Sequence, residues 1–171
     1  MTRNIWLFTI ALLVLSQAGH SRGVEATGEI DAKAAYARLS SLVGEWEAVT
    51  KTGKARVTYE LIAGGTALSE RETMDQMPPM QTVYHLDGNR LMLTHYCMAG
   101  NQPRLQATAF DESTGELGFE FLDVTNLASP SAGHMRNARL TLVDKNHLRS
   151  EWDFYDNGRK TTEVFNYVRI R

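Results

Sequence analysis

The chain has 171 residues and sets 18 Lys and Arg against 20 Asp and Glu, for a formal net charge of -2. With 43% hydrophobic and 22% charged residues it has the make-up of a globular domain, which excludes a disordered or fibrous chain and a polytopic membrane protein. The balanced charge argues against nucleic acid as a partner, and the single cysteine excludes an internal disulfide framework and a multi-thiolate metal site.

The chain opens like an export signal. Arg3 precedes an apolar run from Ile5 to Leu15, broken only by Thr9, and Ser16-Gln17-Ala18 offers small residues at the two positions a signal peptidase inspects. Such a run rises about 16 Å as a helix, about half the hydrocarbon thickness, which favours cleavage over a retained anchor. The expected organisation is a signal peptide over 1-18, a flexible leader over 19-30 and one domain over 31-171. That domain would be periplasmic or secreted, with no integral membrane segment after cleavage.

Asp31 is placed to cap a helix through Ala32, Ala34, Ala35, Tyr36, Leu39 and Leu42, with Gly44 ending it. Tyr36, Leu39, Leu42 and Val43 form a narrow apolar stripe, suited to a lid or plug. From Trp46 the period changes to two. Ten strand segments follow: 45-50, 55-62, 66-73, 80-87, 90-97, 104-111, 117-124, 134-143, 147-155 and 160-169. Short turns such as Ala63-Gly64-Gly65, Asp87-Gly88-Asn89 and Asp156-Asn157-Gly158 join most of them as antiparallel hairpins. No segment contains proline, as a hydrogen-bonded ladder requires. Ten consecutive strands leave two open edges, and closure into an up-and-down barrel removes them. The predicted fold is all-β, a single antiparallel barrel of about ten strands with a short N-terminal helix; a two-sheet sandwich is the alternative.

A short helix, then Gly44-Glu45-Trp46 opening the first strand of a hairpin meander, resembles the calycin superfamily of lipocalins, fatty-acid-binding proteins and nitrobindin-like barrels. The resemblance implies that Gly44 and Trp46 mark the closed end, with Arg169 or Arg171 packing on the indole. A second resemblance rests on Thr82-Val83-Tyr84-His85-Leu86-Asp87-Gly88 and on Leu93-Thr94-His95-Tyr96-Cys97-Met98-Ala99-Gly100-Asn101-Gln102-Pro103-Arg104, with His134-Met135 and Trp152 later. These are similar to a group of exported bacterial proteins of unassigned function, which implies a lipocalin-like barrel and brings no activity.

Alternation places Leu91, Leu93, His95 and Cys97 on one strand face and Met92, Thr94 and Tyr96 on the other. It does not say which face is inside. His95 and Cys97 are about 6.6 Å apart along the backbone, too far for a snug nucleophile–base pair without side-chain reach. His85, His95, His134 and His147 show no His-x-His or His-x-x-x-His spacing, so neither a metal nor another cofactor is expected. The carboxylates Glu60, Glu70, Glu72, Glu120, Glu151, Asp153 and Glu163 read mainly as an outer face of cross-strand charge pairs. If they point inward with Arg104 or Arg136, they would instead line a polar cavity for an anionic or hydroxylated ligand.

The expected function is non-catalytic binding of a small, partly apolar molecule in the barrel. The expected ligand-binding residues are His85, His95, Tyr96, Arg104 and His134, with Tyr84 and Trp152 as walls, and no catalytic residue is assigned. The competing readings are a small hydrolase or isomerase working through His95 and perhaps Cys97, and a ligand-free envelope interaction module.

Overall fold

In the computed structural model, which describes residues 30–51 and 53–171, the period-two pattern forms ten consecutive antiparallel strands. They are β1 (Gly44–Thr50), β2 (Gly53–Ile62), β3 (Ala67–Met74), β4 (Met80–Asp87), β5 (Arg90–Tyr96), β6 (Gln102–Asp111), β7 (Glu116–Thr125), β8 (His134–Asp144), β9 (His147–Asp156) and β10 (Arg159–Arg169). Each strand pairs with its sequence neighbours, and β1 pairs with β10, so the sheet closes into a barrel without free edges. The expected strand boundaries agree to within two residues. The proposed signal peptide and all of the leader except Ile30 lie outside the described residues.

Closure is brief. Trp46 opposes Arg169 and Glu47 opposes Val168, and the backbone of Glu45 extends the seam by bonding to Ile170 and Arg171 at 2.7–3.2 Å. Gly44 is required where this seam starts: its φ is +135°, and a Cβ would collide with the carbonyl oxygen of Arg171.

The helix α1 (Ala32–Ser40) begins as expected, with the Asp31 carboxylate accepting from the Ala34 amide at 2.9 Å. Its buried face differs from the expected stripe. Ala32, Ala35, Leu39 and the following Leu42 are buried, Tyr36 is half-buried and Val43 is exposed. The small alanines let the helix lie close against β4 and β5, while the Tyr36 hydroxyl reaches the Gly65 carbonyl at 2.9 Å.

Inward-facing residues divide the barrel into two halves. Near α1 the lumen holds Leu39, Leu42, Trp46, Leu68, Leu91, Leu117, Leu140 and Leu148, all fully buried. Trp46 donates its indole N–H to Leu42 O at 2.8 Å, and the Arg169 guanidinium lies 4.1 Å from the ring centroid. That guanidinium also donates to the carbonyls of Ser41, Val43 and Lys145, so one cation ties the helix exit, the β8–β9 turn and the barrel floor together.

The opposite half is less regular. β5 and β6 share only the pairs Met92–Gln106, Leu93–Leu105 and Thr94–Arg104. Pro103 therefore falls inside β6, contrary to the proline-free expectation; it pairs only toward β7, so its missing N–H costs no bond on the β5 side. β7 and β8 pair only from Glu116–Thr141 to Glu120–Asn137 and separate beyond. Bulges at Ala107/Ala109 and Met135/Asn137 shift the alternation, leaving Ala109 exposed.

Candidate functional site

The face that alternation left undecided is settled by burial: Leu91, Leu93 and His95 point into the barrel. The pairing places Tyr59 opposite Glu70, Glu70 opposite Thr82, and Thr82 opposite His95. Four neighbouring strands thus contribute a continuous row of polar side chains, all buried, across one inner wall.

His95 is 3% exposed. Its Nδ1 lies 2.9 Å from the Thr82 hydroxyl, and its Nε2 is buried with no hydrogen-bond partner in the protein. Nδ1 is held by Thr82, and Nε2, on the far side of the ring, is closed off from solvent. The ring packs against Trp152, with centroids 5.1 Å apart, and the Trp152 indole donates to Ser150 Oγ at 3.0 Å. Burial pushes the imidazole down to about 4. It is neutral at physiological pH, with one nitrogen free to hydrogen-bond.

Two carboxylates share this wall. Glu70 accepts from the Tyr84 hydroxyl at 2.5 Å, and Glu72 accepts from the Tyr167 hydroxyl at 2.8 Å. Burial raises Glu70 to about 7 despite the Tyr84 bond, with the charge of Glu72 adding to the rise. Burial raises Glu72 too, opposed by the Tyr167 hydroxyl and assisted by Glu163. Glu163 lies opposite Trp152 on β10. Glu70 is buried, Glu72 half-buried and Glu163 exposed, so the three acids run from the interior to the mouth.

Of the residues expected to bind, the structure brings His95, Tyr84 and Trp152 to this lumen. Tyr96 and Arg104 stand on the outer face; Tyr96 is half-exposed, and Arg104 forms an ion pair with Asp123. His85 also lies on the outer phase of β4, half-buried, with Nδ1 near the Leu86 carbonyl. His134 sits where β7 and β8 part, against Phe121 at 5.3 Å and the Ala132 carbonyl at 2.8 Å; Arg136 lies over Phe121 and Tyr155. Asn101 anchors the adjoining loops by donating to Gly133 O at 2.8 Å.

Sequence reasoning read Glu70 and Glu72 mainly as outer-face residues, with an inward position as the alternative, and did not single out Tyr59, Thr82 and Tyr167 as lumen residues. The signal was present in the spacing: Glu70 and Glu72 are in phase with Leu68, and Tyr59 with Ala55 and Val57. Neither Arg104 nor Arg136 accompanies the inward acids. Asp153, by contrast, takes an outer cross-strand partner as expected, and so do Glu47 and Asp123, which the sequence reading did not single out.

The thiol of Cys97 is half-buried, and burial raises its pKa. A nucleophilic cysteine needs the opposite shift. Among the described residues no three His, Cys, Asp or Glu side chains converge as metal ligands. A separate groove of about 420 Å³ crosses the outer wall of β6–β10. Its Asp153 already accepts from Lys160 at 2.7 Å and Thr162 at 2.6 Å. Among the described residues no helix is long and apolar enough to cross a membrane.

The fold defines a class, the closed ten-stranded antiparallel barrel with a helix at one end, compatible with a ligand-binding cavity. The chain is similar to the solved structure titled "Crystal Structure of Rv2717c from M. tuberculosis", at a TM-score of 0.53 and 15% identity over 80% of this chain and 98% of that one. At that identity the likeness speaks for the fold alone. No protein-family model matches the chain, and no curated protein matches it.

Proposed function

We propose that this protein is an exported, calycin-type barrel that holds a small, partly apolar molecule non-covalently in the half of its lumen away from the helix, without catalysis. The observation that carries this reading is the free Nε2 of His95. A buried nitrogen without a partner costs about 1–3 kcal/mol, and a polar atom of a bound molecule offsets that cost. Trp152, Phe154 and Phe165 supply apolar surface beside it, Trp152 and Phe165 as neighbours on the inward face and Phe154 nearer the mouth. Affinity then comes from desolvating the apolar body, and orientation from the imidazole and the hydroxyl-bearing wall.

Native mass spectrometry of protein purified gently from its own source tests the reading, with wild type and His95→Leu compared. The expected result is a co-purifying small mass on the wild type that is lost from the variant. A bare polypeptide mass in both would overturn a tightly held ligand.

A further inference from the structure

Closure gives every strand two neighbours, yet most of β10 is paired on one side only. Its ladder with β9 is continuous from Arg159–Asp156 to Val168–His147, while its ladder with β1 consists of Val168–Glu47 and Arg169–Trp46. Continued along β10, that register puts Thr50, the last residue of β1, level with Phe165. From there to the turn at Gly158 no described strand pairs with the edge, and Arg159 to Val164 are all exposed. Backbone direction alternates along the strand: Arg169 donates its amide to Asn146 O on the β9 side, and Ile170 donates to Glu45 O on the β1 side. By the same alternation Lys160, Thr162 and Val164 aim their N–H and C=O groups out of the sheet edge, a template for another strand. Lys160 and Thr162 turn their side chains outward, where Asp153 accepts from both. Arg159, Thr161 and Glu163 share the inward phase with Phe165, and their side chains have no hydrogen-bond or ion-pair partner among the described residues.

We propose that the protein forms a two-fold dimer in which the free edge of β10 pairs antiparallel with β10 of a second copy, centred on Thr161. About a two-fold axis normal to the sheet, residues directly opposite have a constant sum of sequence numbers and point to the same face. With Thr161 on the axis, Arg159 falls opposite the partner's Glu163 and Glu163 opposite the partner's Arg159, so one pair of opposite charges is made twice. Lys160 falls opposite the partner's Thr162, and these are the residues whose backbone groups leave the edge, so the two copies exchange N–H···O=C bonds there. The register also fits the length of the edge. Positions 158 to 164 are symmetric about 161, so the β9–β10 turn of each copy stops where β1 of the other begins. Neighbouring registers lose the match: centring on Thr162 sets Glu163 opposite Thr161, and centring on Lys160 sets Arg159 opposite Thr161. Charged side chains protect an edge when a second copy would bring like charges together; here the second copy brings unlike ones. The dimer is independent of what the lumen holds.

Sedimentation velocity of the purified protein at low ionic strength, between about 1 and 300 µM, tests the proposal. A ladder this short buries less than a standard interface, so the wild type is expected as a monomer at the lowest concentration and a dimer at the highest. Arg159→Glu and Glu163→Arg each set like charges opposite one another and should weaken the dimer about tenfold or more, and the swap Arg159→Glu/Glu163→Arg should restore it. Both positions are exposed, so the monomeric variants should keep the circular dichroism of the wild type. In a Cys97→Ala background, Thr161→Cys should oxidise to a covalent dimer and Lys160→Cys, which faces Thr162, should not. A monomer throughout the range overturns the proposal. So does a dimer that ignores the single reversals or is not restored by the swap, because the contact then lies elsewhere. Equal cross-linking at both cysteines overturns the register. A monomer that dimerises only once residues 19–29 are removed assigns the edge to that segment and overturns the second copy as its occupant.

Discussion

The same strands build both halves of the barrel, and their inward residues change character along their length. β5 offers Leu91 and Leu93 near the helix, then His95; β3 offers Leu68, then Glu70 and Glu72; β10 runs the other way, from Glu163 through Phe165 to Tyr167. At the helix end the Trp46 indole is answered by a carbonyl and the Arg169 guanidinium by three carbonyls and a ring, while the buried Nε of Arg38 on the helix has no partner. At the other end a buried imidazole nitrogen and the buried Asn101 side-chain oxygen have no partner, and buried Glu70 and half-buried Glu72 are met by tyrosine hydroxyls. The two ends thus differ in the chemistry of their inner walls: an indole and a guanidinium lock the barrel at the helix end, and hydroxyl–carboxylate pairs beside a neutral imidazole line the other.

The largest expected effect tests the first half. Trp46→Ala removes the biggest fully buried side chain and the platform for Arg169, and should cost about 3–5 kcal/mol in urea unfolding. Within β5 the contrast sharpens over two residues. Leu93→Ala should cost about 2–5 kcal/mol, whereas His95→Leu exchanges a half-satisfied imidazole for an apolar side chain at a cost of about 1 kcal/mol or less. Equal losses at both positions would erase the distinction between the halves.

The half away from the helix should also reveal itself in pH dependence. Glu70 is raised from 4.5 to about 7 in the folded protein, so its contribution is full below about 4.5 and is lost as pH rises through 7. His95 is lowered from 6.5 to about 4, so its penalty is absent above about 6.5 and grows as pH falls toward 4. Each shift corresponds to about 3 kcal/mol, and between pH 4.5 and 6.5 the two slopes oppose each other. Substitution should uncover whichever remains. Relative to wild type, Glu70→Gln should gain stability as pH rises from 4.5 to 7, and His95→Leu should gain it as pH falls from 6.5 to 4. Stability curves for the variants that stay parallel to wild type would mean that neither group is buried as described.

Arg169→Ala should cost about 2 kcal/mol, through loss of the ring contact and of charge-assisted bonds to carbonyls. Thermal unfolding would report it. Arg169→Lys should recover only part, because an ammonium cannot fork toward Ser41, Val43 and Lys145 while lying flat on Trp46.

The closed half was legible in the sequence because its signals are local. Asp31 ahead of an alanine-rich helix, Gly44 before Trp46, and turn residues between alternating segments each act within a few positions, and together they specify ten antiparallel neighbours. The half away from the helix depends on register across strands, which alternation alone does not give. Glu70 and Glu72 have the composition of an outer face; only their phase with Leu68 shows that they point inward. Tyr96 and Arg104 drew notice by standing next to His95 and Pro103 in the chain, yet the pleat turns them outward. The bulges in β6 and β8, which shift the phase again, carry no sequence mark as plain as a glycine.

The smallest expected effect concerns that outward turn. Arg104 pairs with Asp123 on the solvent face of β6 and β7, and the two side chains are 48% and 45% exposed. Exposed pairs of this kind contribute little and are screened by salt, so Arg104→Ala should leave the urea midpoint nearly unchanged. Adding Asp123→Ala should add little more, since neither partner is left buried. The informative readout is the lumen: with Arg104 on the far side of the sheet, Arg104→Ala should leave the His95 ring and Trp152 indole NMR resonances as they are in the wild type. If those resonances move instead, Arg104 reaches the inner wall through the loop beyond β5, and the division between the two halves has to be redrawn around that loop.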